Sequence, residues 1–193
     1  MKEGILQHAL ILSEEAYIAF EENSPLRHEL IQGNLYQIPG TTLTHNDICI
    51  NITLLLRNIL RSQGGFFKVQ QESVKVQVSK DLDYTYPDVV VISDPRDLES
   101  QYIIRYPPVI FEVMSKHSRT EDAADKFIRY KNIESLHNYI LVDSEKRLVE
   151  VRVKRDNGIW ESESYLPSDL RFPVPYLGVE LDFDAVYEGV KAA

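Results

Sequence analysis

The chain has 193 residues, 44% hydrophobic and 26% charged, the composition of an ordinary globular domain and not of a disordered or fibrous chain. Its single cysteine, Cys49, excludes an internal disulfide framework. A formal net charge of −9 and a pI near 5.1 exclude a broad basic surface of the kind that holds polyanions without specificity.

The apolar N-terminal stretch ILQHALIL, interrupted by His8, falls far short of the ~20 residues of a membrane span and lacks the basic flank and cleavage site of a targeting peptide. The expectation is a cytoplasmic protein with no membrane segment. LSEEAYIAFEENS predicts a first helix, capped by Ser13 and ending near Asn23. RHELIQGNLYQIPG shows two alternating runs about Gly33-Asn34, a hairpin pattern. In THNDICINITLLLRNILRSQGG, Ile48, Ile52, Leu55, Leu56, Ile59 and Leu60 share one helical face and Gly64-Gly65 ends the run.

FFKVQQESVKVQV alternates as a half-exposed strand. PDVVVI and PPVIFEVM are short continuous apolar runs, the pattern of strands buried on both faces. SRTEDAADKFIRYKNI follows as a helix, with Ser118 and Glu121 spaced as a capping box. NYILVD, RLVEVRVKR and IWESESYL read as strands, the last two joined at Asp156-Asn157-Gly158, and the proline-containing tail ends in one short docked helix. Strands in the middle with helices before and after the most buried pair predict an α/β or α+β fold around a mixed sheet, with a separate β-hairpin region, as a single domain over residues 1–193.

Glu112 stands inside an apolar strand. A carboxylate taken out of water is costly unless it is paired, neutralised or given a metal. Asp88 opens the preceding apolar strand, and strands at about 4.8 Å spacing can bring both acids to one cation. Two hard oxygen donors with open positions suit Mg²⁺. A structural reading stands beside this one: Glu112 pairs with an arginine and Asp88 caps a strand. On the following helix Asp122, Lys126 and Tyr130 fall at successive i, i+4 positions. Lys126 can lean over the Glu112 strand or form an ordinary surface pair with Asp122. The segment from Ser115 to Lys131 is locally basic in an acidic chain.

HELIQGNLYQIPG, THNDI, YPDVVVISDP, PPVIFEVMSKHSRTEDAADKFIRYKNI and NYILVDSEKRLVEV, in that order and spacing, closely resemble the Uma-type restriction endonucleases of the PD-(D/E)xK nuclease superfamily. The resemblance covers about residues 12–160 and continues loosely through a C-terminal extension, 161–193. It implies a restriction-endonuclease-like core, a mixed central sheet flanked by helices, that binds Mg²⁺ (or Mn²⁺) and hydrolyses phosphodiester bonds of nucleic acid, DNA in the first instance.

Carried over by position, Asp88 matches the aspartate of the Pro-Asp half-motif and Glu112 the second acid. The lysine usual two residues after that acid is Met114 here, and Lys126 stands where family members carry a lysine on the next helix. Glu29 matches the acid of the first strand, a further metal ligand or an exposed strand acid. His45 matches a histidine at the start of the long helix, a phosphate contact or a helix cap; Tyr130 packs or hydrogen-bonds beside the site. Family members continue with serine-proline after the Glu strand, whereas this chain has Ser115-Lys116-His117, and Lys116 can add a cationic phosphate contact or be a tolerated loop variation.

A homodimer, which cuts both strands of a duplex with two symmetric sites, fits this implied activity. The rival reading is a catalytically idle relative that keeps the fold as a nucleic-acid-binding or regulatory module; Met114 and the acidic surface favour it, while Asp88, Glu112 and Lys126 oppose it. An unrelated acidic assembly protein predicts neither metal nor DNA binding.

Overall fold

The computed structural model describes residues 6–7, 13–64, 66–80, 82–114 and 120–190. In chain order the elements are β1 (Leu6–Gln7), α1 (Glu14–Asn23), β2 (His28–Ile31), β3 (Asn34–Gln37), α2 (Leu43–Gln63), β4 (Lys68–Gln71), β5 (Lys75–Ser79), β6 (Asp83–Thr85), β7 (Val89–Ile92), β8 (Ile103–Ile104), β9 (Val109–Met114), α3 (Thr120–Tyr130), β10 (Asn138–Asp143), β11 (Leu148–Lys154), β12 (Trp160–Tyr165), β13 (Arg171–Val174), β14 (Val179–Asp182) and α4 (Phe183–Val186).

The predicted α1 starts where Ser13 Oγ accepts the Ala16 N–H at 3.2 Å. In α2, Thr42 is the cap, accepting the His45 N–H at 3.2 Å, and Gly64 at φ +72° ends the helix. The β-branched residues of α2 cost a few tenths of a kcal/mol each in helix propensity. Burial of Ile48, Ile52, Leu56 and Leu60, at about 1.5–3 kcal/mol per side chain, outweighs that cost. No helix among the described residues is long and apolar enough to cross a membrane.

The central sheet has the order β12-β11-β10-β9-β7-β4. Only β9 and β10 run parallel in it; the other neighbours are antiparallel. One face, carrying Val89, Val91, Val109, Phe111 and Ile140, packs on α2 and the C-terminal β13–β14–α4 unit. The other face, with Val90, Ile110, Tyr139 and Leu141, packs on β5 and on Phe127 and Tyr130 of α3. The continuous apolar runs of β7, β9 and β10 follow from this double coverage. A second sheet, β1-β3-β2-β6-β5-β8, stands beside it. The chain crosses between the sheets at 72–74 and again at 86–88, and the Glu72 N–H donates to the Asp88 carbonyl at 3.0 Å, tying the crossings together.

The fold is therefore mixed α+β, as predicted, and three local expectations are corrected. The hairpin turns at Gln32-Gly33, one residue earlier than the Gly33-Asn34 reading, because β2 pairs Ile31 with Asn34 and both turn residues have positive φ, 50° and 80°. The stretch FFKVQQESVKVQV is two strands in different sheets, broken by Glu72 at φ +50°. No glycine or proline marks this break, so the continuous alternation hid it. The tail forms the hairpin β13–β14 before its short helix, with the Asn51 side-chain amide donating to the Val186 and Glu188 carbonyls. The Ser118 cap lies outside the described residues.

Candidate active site

Glu112 lies on β9, where alternation puts it on the face toward α3 with Ile110, and only 4% of it is exposed. Its partner is not an arginine. Lys126 Nζ donates to Oε2 at 2.6 Å and Tyr130 Oη–H to Oε1 at 2.7 Å. The i, i+4 spacing on α3 brings both donors down on one carboxylate. Burial raises the Glu112 pKa to about 7, with Lys126 opposing the rise and the charge of Asp88 adding to it. Burial works against the Lys126 charge, yet Glu112, Glu29 and Asp88 hold its pKa well above the usual lysine range.

Pairing of Val89 with Phe111 and Val90 with Ile110 places Asp88, one step further, across from Glu112. Asp88 Oδ2 accepts the Val113 N–H at 2.6 Å and meets His45 Nε2 at 3.1 Å. His45 thus reaches the site through its ring, while Thr42 does the capping. Burial disfavours its charged form, but the hydrogen bond and charge of Asp88, with Glu72 and Glu112, raise its pKa. Behind it Cys49 Sγ lies 3.6 Å from Nδ1.

Glu29, 4% exposed, is not an exposed strand acid. Its Oε1 accepts the Thr85 hydroxyl at 2.6 Å, Thr85 Oγ1 is 3.3 Å from Tyr130 Oη, and Arg129 Nη1 stands 3.9 Å from Glu29 Oε2. Arg129 also pairs with Asp83 of β6. A chain of polar contacts therefore runs from Glu29 through Thr85, Tyr130 and Glu112 to Lys126.

Asp88, Glu112, Lys126, Glu29, His45 and Tyr130 are gathered at one end of the central sheet, while Lys116 lies outside the described residues. Met114, on the Glu112 face, packs with Phe127 against the apolar cluster containing Tyr139 and Leu141. The sequence reading missed Thr85, Arg129, Asp83, Cys49 and Glu72. Arg129 had a usable signal, lying three residues after Lys126 on the same helix; Thr85 and Glu72 had none, since strand crossing alone brings them in.

The donor set fits a hard divalent cation: two carboxylates from adjacent strands, one of them, Asp88, partly open to solvent. Two expectations follow. Tyr130→Phe removes the donor to Glu112 Oε1 and is expected to cost about 1–3 kcal/mol, read by urea denaturation; an unchanged midpoint would show that this bond does not stabilise the fold. Protons compete with a cation for Glu112, whose pKa is raised to about 7. Mg²⁺ affinity is therefore expected to rise with pH up to about 7 and flatten above it, and calorimetry showing no change between pH 5.5 and pH 8 (about one unit or more either side of that value) would refute the assignment.

Comparison with known proteins agrees with this architecture. Residues 14–184 match the Uma2 family, described as "Putative restriction endonuclease". The chain is 32% identical over 179 residues to "Uncharacterized protein slr1290" of Synechocystis sp. (strain ATCC 27184 / PCC 6803 / Kazusa), spanning 93% of both proteins. It is 30% identical over 135 residues to "Uncharacterized protein sll1609" of the same organism, spanning 69% of this chain and 75% of that protein. Among solved structures, a "putative nuclease belonging to DUF820" from Anabaena variabilis ATCC 29413 superposes with a TM-score of 0.76 at 15% identity, covering 94% of this chain and 100% of that one. Its likeness establishes the fold, and the family match over most of the length establishes kinship: the chain belongs to the Uma2 family.

Proposed function

We propose that this protein is a divalent-metal-dependent endonuclease that hydrolyses phosphodiester bonds of nucleic acid, with DNA as the substrate and Mg²⁺ or Mn²⁺ as the ion. The observation that carries the reading is the meeting of Asp88 and Glu112 across adjacent strands with the Lys126 ammonium 2.6 Å from Glu112.

Asp88 and Glu112 hold the ion, with Glu29 as the further acid of the network. Bound there, the ion supplies Lewis acidity toward a phosphate oxygen and toward water. Val113 N–H and His45 fix the Asp88 carboxylate, and Tyr130 fixes Glu112, so the donor oxygens need little rearrangement. Lys126 contributes a fixed positive charge where negative charge grows on the phosphoryl group. The stretch from Ser115 to Lys131 carries five Lys/Arg against three acids, a local basic excess in an acidic chain, and Lys116 is the cation of that stretch assigned to a phosphate contact. A homodimer presents two such sites to a duplex, and the setting is the cytoplasm.

The idle-relative reading draws support from the Lys126–Glu112 pair itself, which already neutralises the buried carboxylate. A cleavage assay separates the two. Supercoiled plasmid and single strands are incubated with the protein and Mg²⁺ or Mn²⁺, alongside Glu112→Gln. Metal-dependent nicking that the variant lacks supports the nuclease; metal binding with no cleavage of either substrate supports the idle relative.

A further inference from the structure

We propose that His45, Cys49 and Glu72 form a second metal site, selective for a borderline divalent cation of the Zn²⁺ or Co²⁺ kind, behind the all-oxygen site of Asp88 and Glu112. It stands whether or not the protein cuts nucleic acid.

His45 and Cys49 are one helical turn apart on α2, so both side chains project to the same side. His45 and Cys49 belong to a group of possible donors whose third member is Asp88, one ligand atom of each lying within 4.8 Å of the others; Glu72 approaches the same imidazole from its Nδ1 side. The 3.6 Å between His45 Nδ1 and Cys49 Sγ matches the separation of about 3.6 Å that Zn–N and Zn–S bonds impose on two ligands of a tetrahedral centre. His45 Nε2 points the other way, to Asp88 at 3.1 Å. An imidazole held by a carboxylate on one nitrogen and offering the other is the usual arrangement of a metal-ligating histidine.

The independent observation is Glu72. Its Oε1 is buried with no hydrogen-bond partner among the described residues and stands 3.9 Å from His45 Nδ1. The residue is held there by a left-handed backbone, φ +50°, with its N–H on the Asp88 carbonyl. A buried carboxylate oxygen without a donor is costly, and a cation between it and Nδ1 satisfies it. Nitrogen, sulfur and oxygen donors together favour a borderline ion over Mg²⁺, which prefers the oxygens of Asp88 and Glu112. Three protein donors leave a fourth position for water.

Two other readings of Cys49 fit less well. As a small buried hydrophobe it accounts for its own burial but not for Glu72 Oε1. The order thiol, imidazole, carboxylate is also that of a cysteine nucleophile, but Cys49 is fully buried and its thiol is pushed up by burial and by Asp88, Glu72 and Glu112. On metal binding the Cys49 S–H bond breaks, the sulfur–metal bond forms and the proton passes to solvent.

The test is a Co²⁺ titration of the full chain followed by absorbance. Cys49 is the only cysteine, so a thiolate-to-cobalt charge-transfer band in the near ultraviolet reports this site alone. Expected are that band, saturating at one equivalent, its loss on adding Zn²⁺, and its absence in Cys49→Ala. Glu72→Gln, at a position outside the apolar core whose side chain is 24% exposed, is expected to weaken Co²⁺ binding roughly 10–100-fold and guards against a folding defect in the cysteine variant. A weak six-coordinate spectrum without the sulfur band would overturn this proposal while leaving the Asp88–Glu112 site intact. A sulfur band in a protein that cleaves nothing would support it and refute the nuclease reading. Unchanged affinity in Glu72→Gln would overturn the part assigned to Glu72.

Discussion

Glu112→Gln is expected to lower metal-dependent cleavage by at least about 10²–10³-fold, the size of effect found when one electrostatic group at a reacting centre is removed. The change preserves the shape of the side chain and its contact with Tyr130 but takes away the charge to which the proposed cation would bind. Lys126, a fifth of it exposed, can reach water when its partner is neutral, so the fold survives. Calorimetry on the same samples is expected to show Mg²⁺ binding lost together with cleavage. Cleavage within a few-fold of wild type would sink the assignment of Glu112 as a ligand.

Lys126→Met is expected to separate two roles. Removing one partner of a buried ion pair costs about 3–5 kcal/mol when the other stays charged. Glu112 can escape part of that cost by taking up a proton. Lys126 is what opposes the rise in its pKa, so in the variant that pKa climbs beyond about 7. The ionised form is then the destabilised one, and the penalty is present above the new folded pKa and fades as pH falls toward the ordinary glutamate value. Urea midpoints are therefore expected to differ more between wild type and variant at high pH than at low pH, and equal differences would show that Lys126 does not neutralise Glu112. Above the new Glu112 pKa, where the carboxylate is ionised, metal affinity is expected to hold or rise because the cation no longer competes with an ammonium, and turnover there falls about 10²–10³-fold. Unchanged turnover would remove Lys126 from catalysis and leave it a structural counter-ion.

Much of the local structure was written in short-range pattern. Ser13 and Gly64 mark helix ends by their own chemistry, and the 3.6-residue spacing from Ile48 to Leu60 determines which side of α2 is buried. The apolar runs of β7, β9 and β10 announced strands covered on both faces. Asp88 and Glu112 were visible for a related reason: a charge inside or against such a run is conspicuous against its neighbours. Even the partner of Glu112 was half visible, since the i, i+4 spacing of Lys126 and Tyr130 is a property of the helix alone.

What the sequence by itself determined, then, was the set of elements, the identity of the conspicuous acids and, through the ordered motifs, the family. Only the tertiary structure decided who meets whom across sheets. Glu29 looked as much like an exposed strand acid as a further metal ligand until β6 laid Thr85 against it. His45 read as a helix cap or a phosphate contact until the packing of α2 on the central sheet put Asp88 in reach of its ring. Glu72 sat unnoticed in an apparently continuous strand, because a left-handed residue without glycine leaves no mark in an alternation pattern. Secondary structure follows from interactions a few residues apart, which the order of residues encodes directly. The composition of the site depends on contacts between residues some 14 to 56 positions apart, and those exist only once the two sheets have closed against each other.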